Sequence, residues 1–276
     1  MMINFTKMHG LGNDFVVIDL ITNSAKFRTS HIQRISDRRL GVGCDQLLLI
    51  DPPIRKTADF FYRIYNADGQ EVEQCGNGAR CAARFFYDLG FTNGNTLEAD
   101  CLAGTQKFTI EDNHDITVEM GRPKFNPPEI PFKASIESPT YTINLENQTV
   151  SFSIASLGNP HAIIQVSDIQ TAPVTTLGPL ISQHASFPQG TNVEFMQVID
   201  KNHIFLKVYE RGVGETLACG SGACAAVATG IRLKLLESPV KVSFKLGELH
   251  ITWETSESPI FMTGPTTSVY IGRFRL

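Results

Sequence analysis

The sequence predicts an α+β protein of two pseudo-symmetric halves, each a curved mixed β-sheet wrapped around a central helix. An active site is expected in the cleft between the halves. Three observations predict this fold class: one long motif occurs twice, short β-branched or aromatic runs bounded by turn residues fill both halves, and an Ala-rich helical segment follows each copy of the motif. Strand-rich units with a helix packed on the sheet are typical of α+β proteins.

The repeated motif places two cysteines at equivalent positions. RIYNADGQEVEQCGNGARCAA begins at residue 63 and KVYERGVGETLACGSGACAA at residue 207, so Cys75 falls on Cys219 with an offset of 219 − 75 = 144 residues. LGNDF at 11–15 resembles LGNPH at 157–161, and a weaker match sets GCD at 43–45 beside GTN at 190–192. Three motifs in the same order indicate a duplication.

The duplication also predicts where the chain divides. We expect a first half of residues 1–120 with 266–276 and a second half of residues 121–265, with the boundary near the Pro-rich stretch Arg122–Pro131. A last strand around Val269–Phe274 is expected to return and complete the first half.

Hydrophobic runs predict the individual elements. The segments Gly78–Leu89 and Gly222–Leu236 are expected to be helices, and their few charges in the opening turns favour enclosure by a sheet. The expected strands are Phe15–Asp19, Leu47–Ile50, Phe60–Asn66, Thr105–Ile110 and Ile116–Met120 in the first half, and Thr149–Ala155, Ala162–Val166, Val193–Val198, Ile204–Glu210, Val240–Phe244 and Leu249–Trp253 in the second.

Composition excludes several function classes. The chain has 276 residues, of which 42% are hydrophobic and 19% charged, as expected for a globular protein with a proper core. A net charge of −4 without any basic run argues against nucleic-acid or anionic-membrane partners. The longest apolar runs are too short to span a bilayer, and the first fifteen residues lack the pattern of a signal peptide. We therefore expect a cytoplasmic protein.

The two Cys-Gly-Xaa-Gly motifs predict the chemistry. Glycines let backbone N–H groups approach a ligand, and a helix N-terminus binds carboxylates and lowers the pKa of a nearby thiol from about 8.5. Two such thiols on opposite faces of one carbon suit stereoinversion of an amino acid, with Cys75 and Cys219 as base and acid. The helix N-termini would stabilise the enolate-like charge. No pyridoxal lysine motif or nucleotide loop is evident, so we expect no cofactor.

The other cysteines are interpreted as packing residues. Cys81 and Cys224 fall inside the expected helices, and Cys44 and Cys101 lie outside any motif. A zinc site formed by Cys75, Cys81, Cys219 and Cys224 is conceivable, but the C-x5-C and C-x4-C spacings differ from the tight knuckle of structural zinc sites, so no metal is expected.

Together the motifs resemble the diaminopimelate epimerase family. The segments that carry the resemblance are HGLGNDF, GxGCDQ, YNADGxExxxCGNGxRC, LGNPH, TNVEF, YERGxGETxACGSGAC and GPxxxVY, which cover nearly the whole chain. The resemblance implies cofactor-independent interconversion of LL- and meso-diaminopimelate, in bacterial lysine and peptidoglycan biosynthesis, with Cys75 and Cys219 as the acid/base pair. It also implies a homodimer, with Tyr270 at the contact.

By position, the resemblance assigns further site residues. His161 and Glu210 would assist catalysis. The implied substrate contacts are Asn13, Gln46, Asn66, Gly76, Asn77, Asn159, Asn192, Glu210, Arg211, Gly220 and Ser221. The chemistry of two of them agrees independently, because Arg211 suits a distal carboxylate and Glu210 an ammonium group.

Other interpretations stay open at the level of sequence. The chain could be another two-thiol racemase acting on proline or hydroxyproline, a thiol redox protein whose working state is a disulfide, or a non-catalytic binding protein. Asn13 and Asn159 could be turn residues, His161 a structural histidine, and Tyr270 an ordinary strand aromatic.

Overall fold

A computed structural model describes residues 2–73, 75–92, 94–146 and 148–275 of the chain. It divides into two compact units, which we call the first unit (Met1–Glu119 with Thr263–Leu276) and the second unit (Met120–Met262). The second unit begins at residue 120, just before the Pro-rich stretch. The chain returns to the first unit at residue 263, three residues earlier than the expected position 266.

The first unit is a mixed sheet around one buried helix. Its elements are β1 Met2–Gly10, β2 Asn13–Asp19, α1 Thr29–Ser36, β3 Gln46–Asp51, β4 Phe60–Asn66, β5 Glu71–Val72, α2 Gly76–Asp88, β6 Thr96–Cys101, β7 Gly104–Ile110 and β8 Ile116–Glu119. The strand pairs β2–β3 and β4–β6 are parallel, whereas β1–β2, β3–β4, β6–β7 and β7–β8 are antiparallel. Helix α2 is buried from Asn77 to Ala83 and contacts six of these strands.

The second unit repeats this plan. Its elements are a 3-10 turn at Pro127–Glu129, β9 Tyr141–Leu145, β10 Gln148–Ser156, β11 Pro160–Gln165, α3 Val174–Ser182, β12 Asn192–Asp200, β13 His203–Glu210, β14 Gly214–Thr216, α4 Gly220–Arg232, β15 Val240–Phe244 and β16 Gly247–Thr252. The pairs β11–β12 and β13–β15 are parallel and β12–β13 is antiparallel. The Ala-rich α4 is almost wholly buried against β10, β11, β12 and β16.

The chain then continues through β17 (Phe261–Gly264) into β18 (Thr267–Arg275). Strand β18 pairs with β1 in antiparallel register from Met2 opposite Arg275 to His9 opposite Thr267, with one irregularity after Lys7. The first unit therefore contains strands from both ends of the described chain. Mixed sheets with few helices confirm the predicted α+β class.

Strand register confirms the duplication and corrects one alignment. Phe15 lies opposite Gln46 in the first unit, and His161 lies opposite Asn192 in the second, so both equivalences have an offset of 146 residues. The weaker sequence match placed Asp45 beside Asn192 and was wrong by one residue. The true equivalent of Asn192 is Gln46.

The two central helices differ from their predicted bounds at both ends. Both begin two residues earlier than predicted, at Gly76 and Gly220, because those glycines already have helical conformation. Helix α4 ends at Arg232 rather than at residue 236. Lys234 adopts a left-handed conformation with φ of 61°, and the Leu235 N–H donates to the Gly230 carbonyl, which closes the helix.

The predictions from sequence did not include the helices α1 and α3 or the strands β1, β5, β6, β9, β14 and β17. Among the described residues, no helix is long and apolar enough to cross a membrane.

Candidate functional site

Three predicted residues of the first unit lie at one edge of its sheet. Asn13 and Gln46 are the first residues of parallel β2 and β3, and Asn66 is the last residue of antiparallel β4. The beginning of a strand and the end of its antiparallel neighbour meet at the same edge. There Gln46 Nε2 donates a hydrogen bond to Asn66 Oδ1 at 2.9 Å.

Cys75 lies at the same edge as the N-cap of α2. Its Sγ accepts a hydrogen bond from the Gly78 N–H at 3.4 Å, and its thiol donates to Asn13 Oδ1 at 3.6 Å. Asn77 Nδ2 donates to the same oxygen at 3.4 Å. The predicted Gly76 is the first residue of the helix. The structure thus brings Cys75, Asn13 and Asn77 together.

A charged cluster that sequence analysis missed orients Asn13. Asp45 Oδ2 accepts a hydrogen bond from Asn13 Nδ2 at 3.1 Å. Arg38 joins Asp45 to Asp14 through contacts of 2.7 Å to each, and Lys7 also pairs with Asp14. Although burial alone raises it, hydrogen bonds from Arg38 and Lys7 hold the pKa of the Asp14 carboxyl well below its usual range. Both aspartates stood in the quoted motifs, but only strand register brings them together.

The second unit has the same arrangement at its own sheet edge. Asn159 directly precedes β11, Asn192 begins the parallel β12, and Glu210 ends the antiparallel β13. Helix α4 begins at the predicted Gly220, directly after Cys219. The candidate residues of this unit therefore occupy positions equivalent to those of the first.

Hydrogen bonds connect Cys219 to two other candidate residues. The Cys219 Sγ lies 3.5 Å from the Ser221 hydroxyl, and Asn159 Nδ2 donates to that hydroxyl at 3.3 Å. On its other side, Asn159 Oδ1 lies 3.0 Å from His161 Nε2. Cys219 is, like Cys75, the N-cap residue of its own helix, and the Gly222 N–H faces its sulfur.

Glu194 contacts a candidate site residue and was not predicted from the sequence. Its Oε1 lies 2.7 Å from His161 Nδ1, and both side chains are completely buried. The available signal was a glutamate within the TNVEF segment of an otherwise apolar strand. A buried carboxylate needs a hydrogen-bonding partner, and His161 provides it.

The surroundings of Cys219 correct one expectation. We predicted that the helix N-terminus lowers the thiol pKa. Instead, burial raises the pKa of Cys219 well above its usual range, and the negative charges of Glu210 and Glu194 add to the rise. The Ser221 hydroxyl and the Gly222 N–H oppose this shift without overcoming it.

Glu210 also departs from ordinary behaviour. Burial raises the pKa of its carboxyl, and the neighbouring Glu194 charge raises it further. The Thr216 hydroxyl donates to Glu210 Oε1 at 2.5 Å and counters the shift. A buried carboxyl with a raised pKa beside a thiol is typical of functional sites.

Arg211 is exposed and lies beside a cavity of about 540 Å³ in the second unit. Its backbone N–H donates to Asn192 Oδ1 at 2.9 Å, and its Nη1 donates to the Gln189 carbonyl at 2.7 Å. Its stem passes Gly190, where an added Cβ would lie 2.9 Å from Arg211 Cδ. The guanidinium is thus held at the surface by backbone groups.

The remaining predicted residues lie apart from these clusters. Tyr270, on β18, packs edge-on against Phe5 with ring centroids 5.9 Å apart. The cysteines interpreted as packing residues are buried at Cys44, Cys81, Cys101 and Cys224. No group of three histidine, cysteine or acidic side chains that could hold a metal ion occurs in the described part of the chain.

Comparison with known proteins identifies relatives over the full length. A family model described as diaminopimelate epimerase matches residues 5–126 and 153–269. The diaminopimelate epimerase of Nitrosospira multiformis is 52% identical over 100% of this chain and 99% of its own length. That of Nitrosomonas europaea is 49% identical over 100% of both chains.

Solved structures share the fold at low sequence identity. A hydroxyproline epimerase from Agrobacterium vitis matches with a TM-score of 0.69 at 15% identity, over 99% of this chain and 92% of that one. A phenazine biosynthesis protein of the PhzF family from Bacillus anthracis matches with a TM-score of 0.69 at 14% identity, over 100% of both chains.

Proposed function

The chain belongs to the diaminopimelate epimerase family, and we propose that it interconverts LL- and meso-diaminopimelate with Cys75 and Cys219 as its two catalytic thiols. One thiolate would remove the α-proton while the other thiol delivers a proton to the opposite face, and the roles would exchange in the reverse direction. The proposal places the enzyme in bacterial lysine biosynthesis, a route that also supplies peptidoglycan.

The observation that carries this mechanism is the matched position of the two thiols. Each lies directly before the central helix of its unit, at the sheet edge where the candidate amides also gather. Helix N-termini at both positions favour the negative charge that develops on the substrate carboxylate.

The other candidate residues would hold the two amino-acid heads of the substrate. Arg211 offers an exposed guanidinium for a carboxylate, and Glu210 and the amides of Asn66, Asn159 and Asn192 offer polar groups for an ammonium. A proline-type racemase acts on a substrate with only one such head, which leaves Arg211 without a role.

Turnover in deuterium oxide tests the proposal directly. With LL-diaminopimelate and a reducing agent, we expect early meso product to carry deuterium at Cα while unreacted substrate keeps its hydrogen, because separate groups remove and deliver the proton. Proton NMR and mass spectrometry measure both. Absence of exchange at every reducing potential would exclude the epimerase, and equal labelling of substrate and product would exclude two separate bases.

The same assay distinguishes the proposed epimerase from a thiol redox protein. A redox protein cycles through a disulfide, whereas the epimerase requires both thiols reduced. We include a cytoplasmic location in the proposal because thiols stay reduced in that compartment.

We further propose a homodimer that uses β18. Val269, Tyr270 and Ile271 are 54%, 47% and 80% exposed in the single chain. Since successive strand residues point to opposite faces, both faces of this strand carry accessible apolar surface. Three consecutive exposed apolar side chains on one strand favour its burial in an interface.

Charged substitutions on β18 test the dimer. We expect Tyr270→Glu/Ile271→Glu to shift the protein from dimer to monomer in sedimentation velocity, because burying two carboxylates at an apolar contact is unfavourable. Ile54→Glu, at another exposed apolar position of the first unit, is the control and should leave the dimer intact. A dimer that survives the double substitution would place the interface elsewhere.

A further inference from the structure

The glycine two residues into each central helix packs against different side chains in the two units. A Cβ added to Gly78 would lie 3.2 Å from Phe15 and 3.4 Å from Leu48. A Cβ added to the equivalent Gly222 would lie 2.6 Å from Glu194 Oε1. Apolar side chains thus lie under this turn in the first unit, whereas the carboxyl group of Glu194 lies under it in the second.

Strand register shows that these are corresponding positions. With the offset of 146 residues established by β2–β3 and β11–β12, Phe15 corresponds to His161 and Leu48 to Glu194. All four side chains are buried, and two of the positions therefore hold ionisable groups where the other unit has hydrocarbon. Packing alone does not require this, because the first unit fills the same place with Phe15 and Leu48.

Burial of this ionisable pair also costs stability. Charges removed from water are costly, and a well-packed apolar pair is often at least as stable as a buried ion pair. Glu194 Oε2 is buried and has no hydrogen-bond partner among the described residues. A side chain kept under these conditions points to a role other than packing.

The pair sets the orientation of an asparagine. In the first unit, Asp45 accepts from the Asn13 amide NH2, so that Asn13 Oδ1 faces the thiol of that unit. In the second unit, the corresponding Asn159 turns Oδ1 toward His161 and its NH2 toward the hydroxyl next to Cys219. Asn13 thus presents a hydrogen-bond acceptor to Cys75, whereas Asn159 presents a hydrogen-bond donor to the turn that follows Cys219.

His161 can hold Asn159 this way only if its ring donates from Nε2. Nδ1 faces the Glu194 carboxylate and Nε2 faces Asn159 Oδ1, so the ring has an oxygen acceptor on both sides. The carboxyl oxygen of Glu194 and the amide oxygen of Asn159 each favour an N–H on the ring nitrogen that they face. Without the carboxylate, this arrangement loses its support.

We propose that Glu194 is a positioning residue for the reaction, which acts through His161 and Asn159 to give the Cys219 turn a donor where the Cys75 turn has an acceptor. The inference rests on the proposed function, since it assigns the two thiols different surroundings within one two-base reaction. It makes the two halves of a duplicated site chemically unequal.

Two variants and one control test this role. Glu194→Gln keeps the shape but removes the charge, and His161→Phe/Glu194→Leu installs the apolar pair of the first unit. Glu248→Gln is the control, because Glu248 lies 3.6 Å from His250 on the exposed surface of the same unit. The measurements are kcat and KM for diaminopimelate, melting temperature, and the pH dependence of Cys219 alkylation by iodoacetamide, with Cys75 as internal reference.

For Glu194→Gln we expect kcat to fall about 10- to 100-fold with KM little changed, the range typical when the partner of an orienting histidine is lost. The groups facing Cys219 are Glu210 from β13, Glu194 from β12 and Ser221 from α4. Removing the Glu194 charge should therefore move the alkylation midpoint of Cys219 to lower pH, because the thiolate then meets less repulsion. Glu248→Gln should change neither quantity.

For the double variant we expect the melting temperature to be retained while turnover stays low. Parent-like turnover in the double variant would show that the pair only packs, and parent-like kcat with an unchanged alkylation profile in Glu194→Gln would equally overturn the proposal. Alkylation reports on Glu194 even without turnover. A parent that fails to epimerise diaminopimelate would thus contradict the proposed function separately.

Discussion

Replacing either Cys75 or Cys219 by serine is expected to reduce epimerisation by at least about 10³-fold in both directions. A hydroxyl is a far weaker acid and base than a thiol at neutral pH, and each direction needs one group to take a proton and the other to give one. Deuterium incorporation at Cα, followed from LL- and from meso-diaminopimelate, measures the loss in each direction.

The matched control is Cys81→Ser, the same chemical change on the buried side of α2. Burial raises the pKa of Cys81 to about 12, so its thiol stays protonated and takes no part in proton transfer. We expect this variant to keep turnover within a few-fold of the parent. If Cys81→Ser were as inactive as Cys75→Ser, the assignment of the catalytic thiol within the motif would be wrong.

The second large effect is expected from Gly222→Ala. The added methyl group would lie 2.6 Å from Glu194 Oε1 and 3.3 Å from Cys219 Cβ. The carboxylate is completely buried and hydrogen-bonded to His161, so it cannot move aside without breaking that bond. We expect a loss of stability of about 1–3 kcal/mol from overpacking, and a fall in kcat of at least about 10-fold because the histidine is displaced.

Gly78→Ala provides the comparison in the first unit. Its methyl group would meet only hydrocarbon, at 3.2 Å from Phe15 and 3.4 Å from Leu48, which can shift by a few tenths of an ångström. Thermal unfolding and steady-state kinetics of both variants test the contrast. Equal effects at the two glycines would mean that the identity of the side chains beneath them is unimportant.

The sequence was sufficient for the parts of the fold that depend on local pattern. The two central helices follow glycine-rich turns and carry long Ala-rich runs, so their existence and approximate place could be predicted. Most strands with β-branched or aromatic runs were also predicted within two residues, and Phe60–Asn66 and Val240–Phe244 at their observed bounds. Strand β1 was missed because lysine, asparagine and histidine interrupt its apolar pattern.

The sequence was not sufficient for interactions that depend on register. Glu194 reaches His161 only because β11 and β12 are parallel and aligned as observed, and their separation along the chain hides the contact. The same holds for Asp45 and Asn13, which are 32 residues apart. The pKa of Cys219 could not be predicted because burial and neighbouring carboxyl groups outweigh the helix N-terminus.

The pairing of β1 with β18 has a consequence for how the chain is made. Ribosomal synthesis delivers β1 before β18, which begins 267 − 10 = 257 positions after β1 ends. All residues of the second unit emerge during that interval, so this unit can fold while the first still lacks a strand. Two strands that are far apart in the sequence also pair slowly. The nascent chain therefore exposes the edge of β1 that pairs with β18 until β18 has been synthesised.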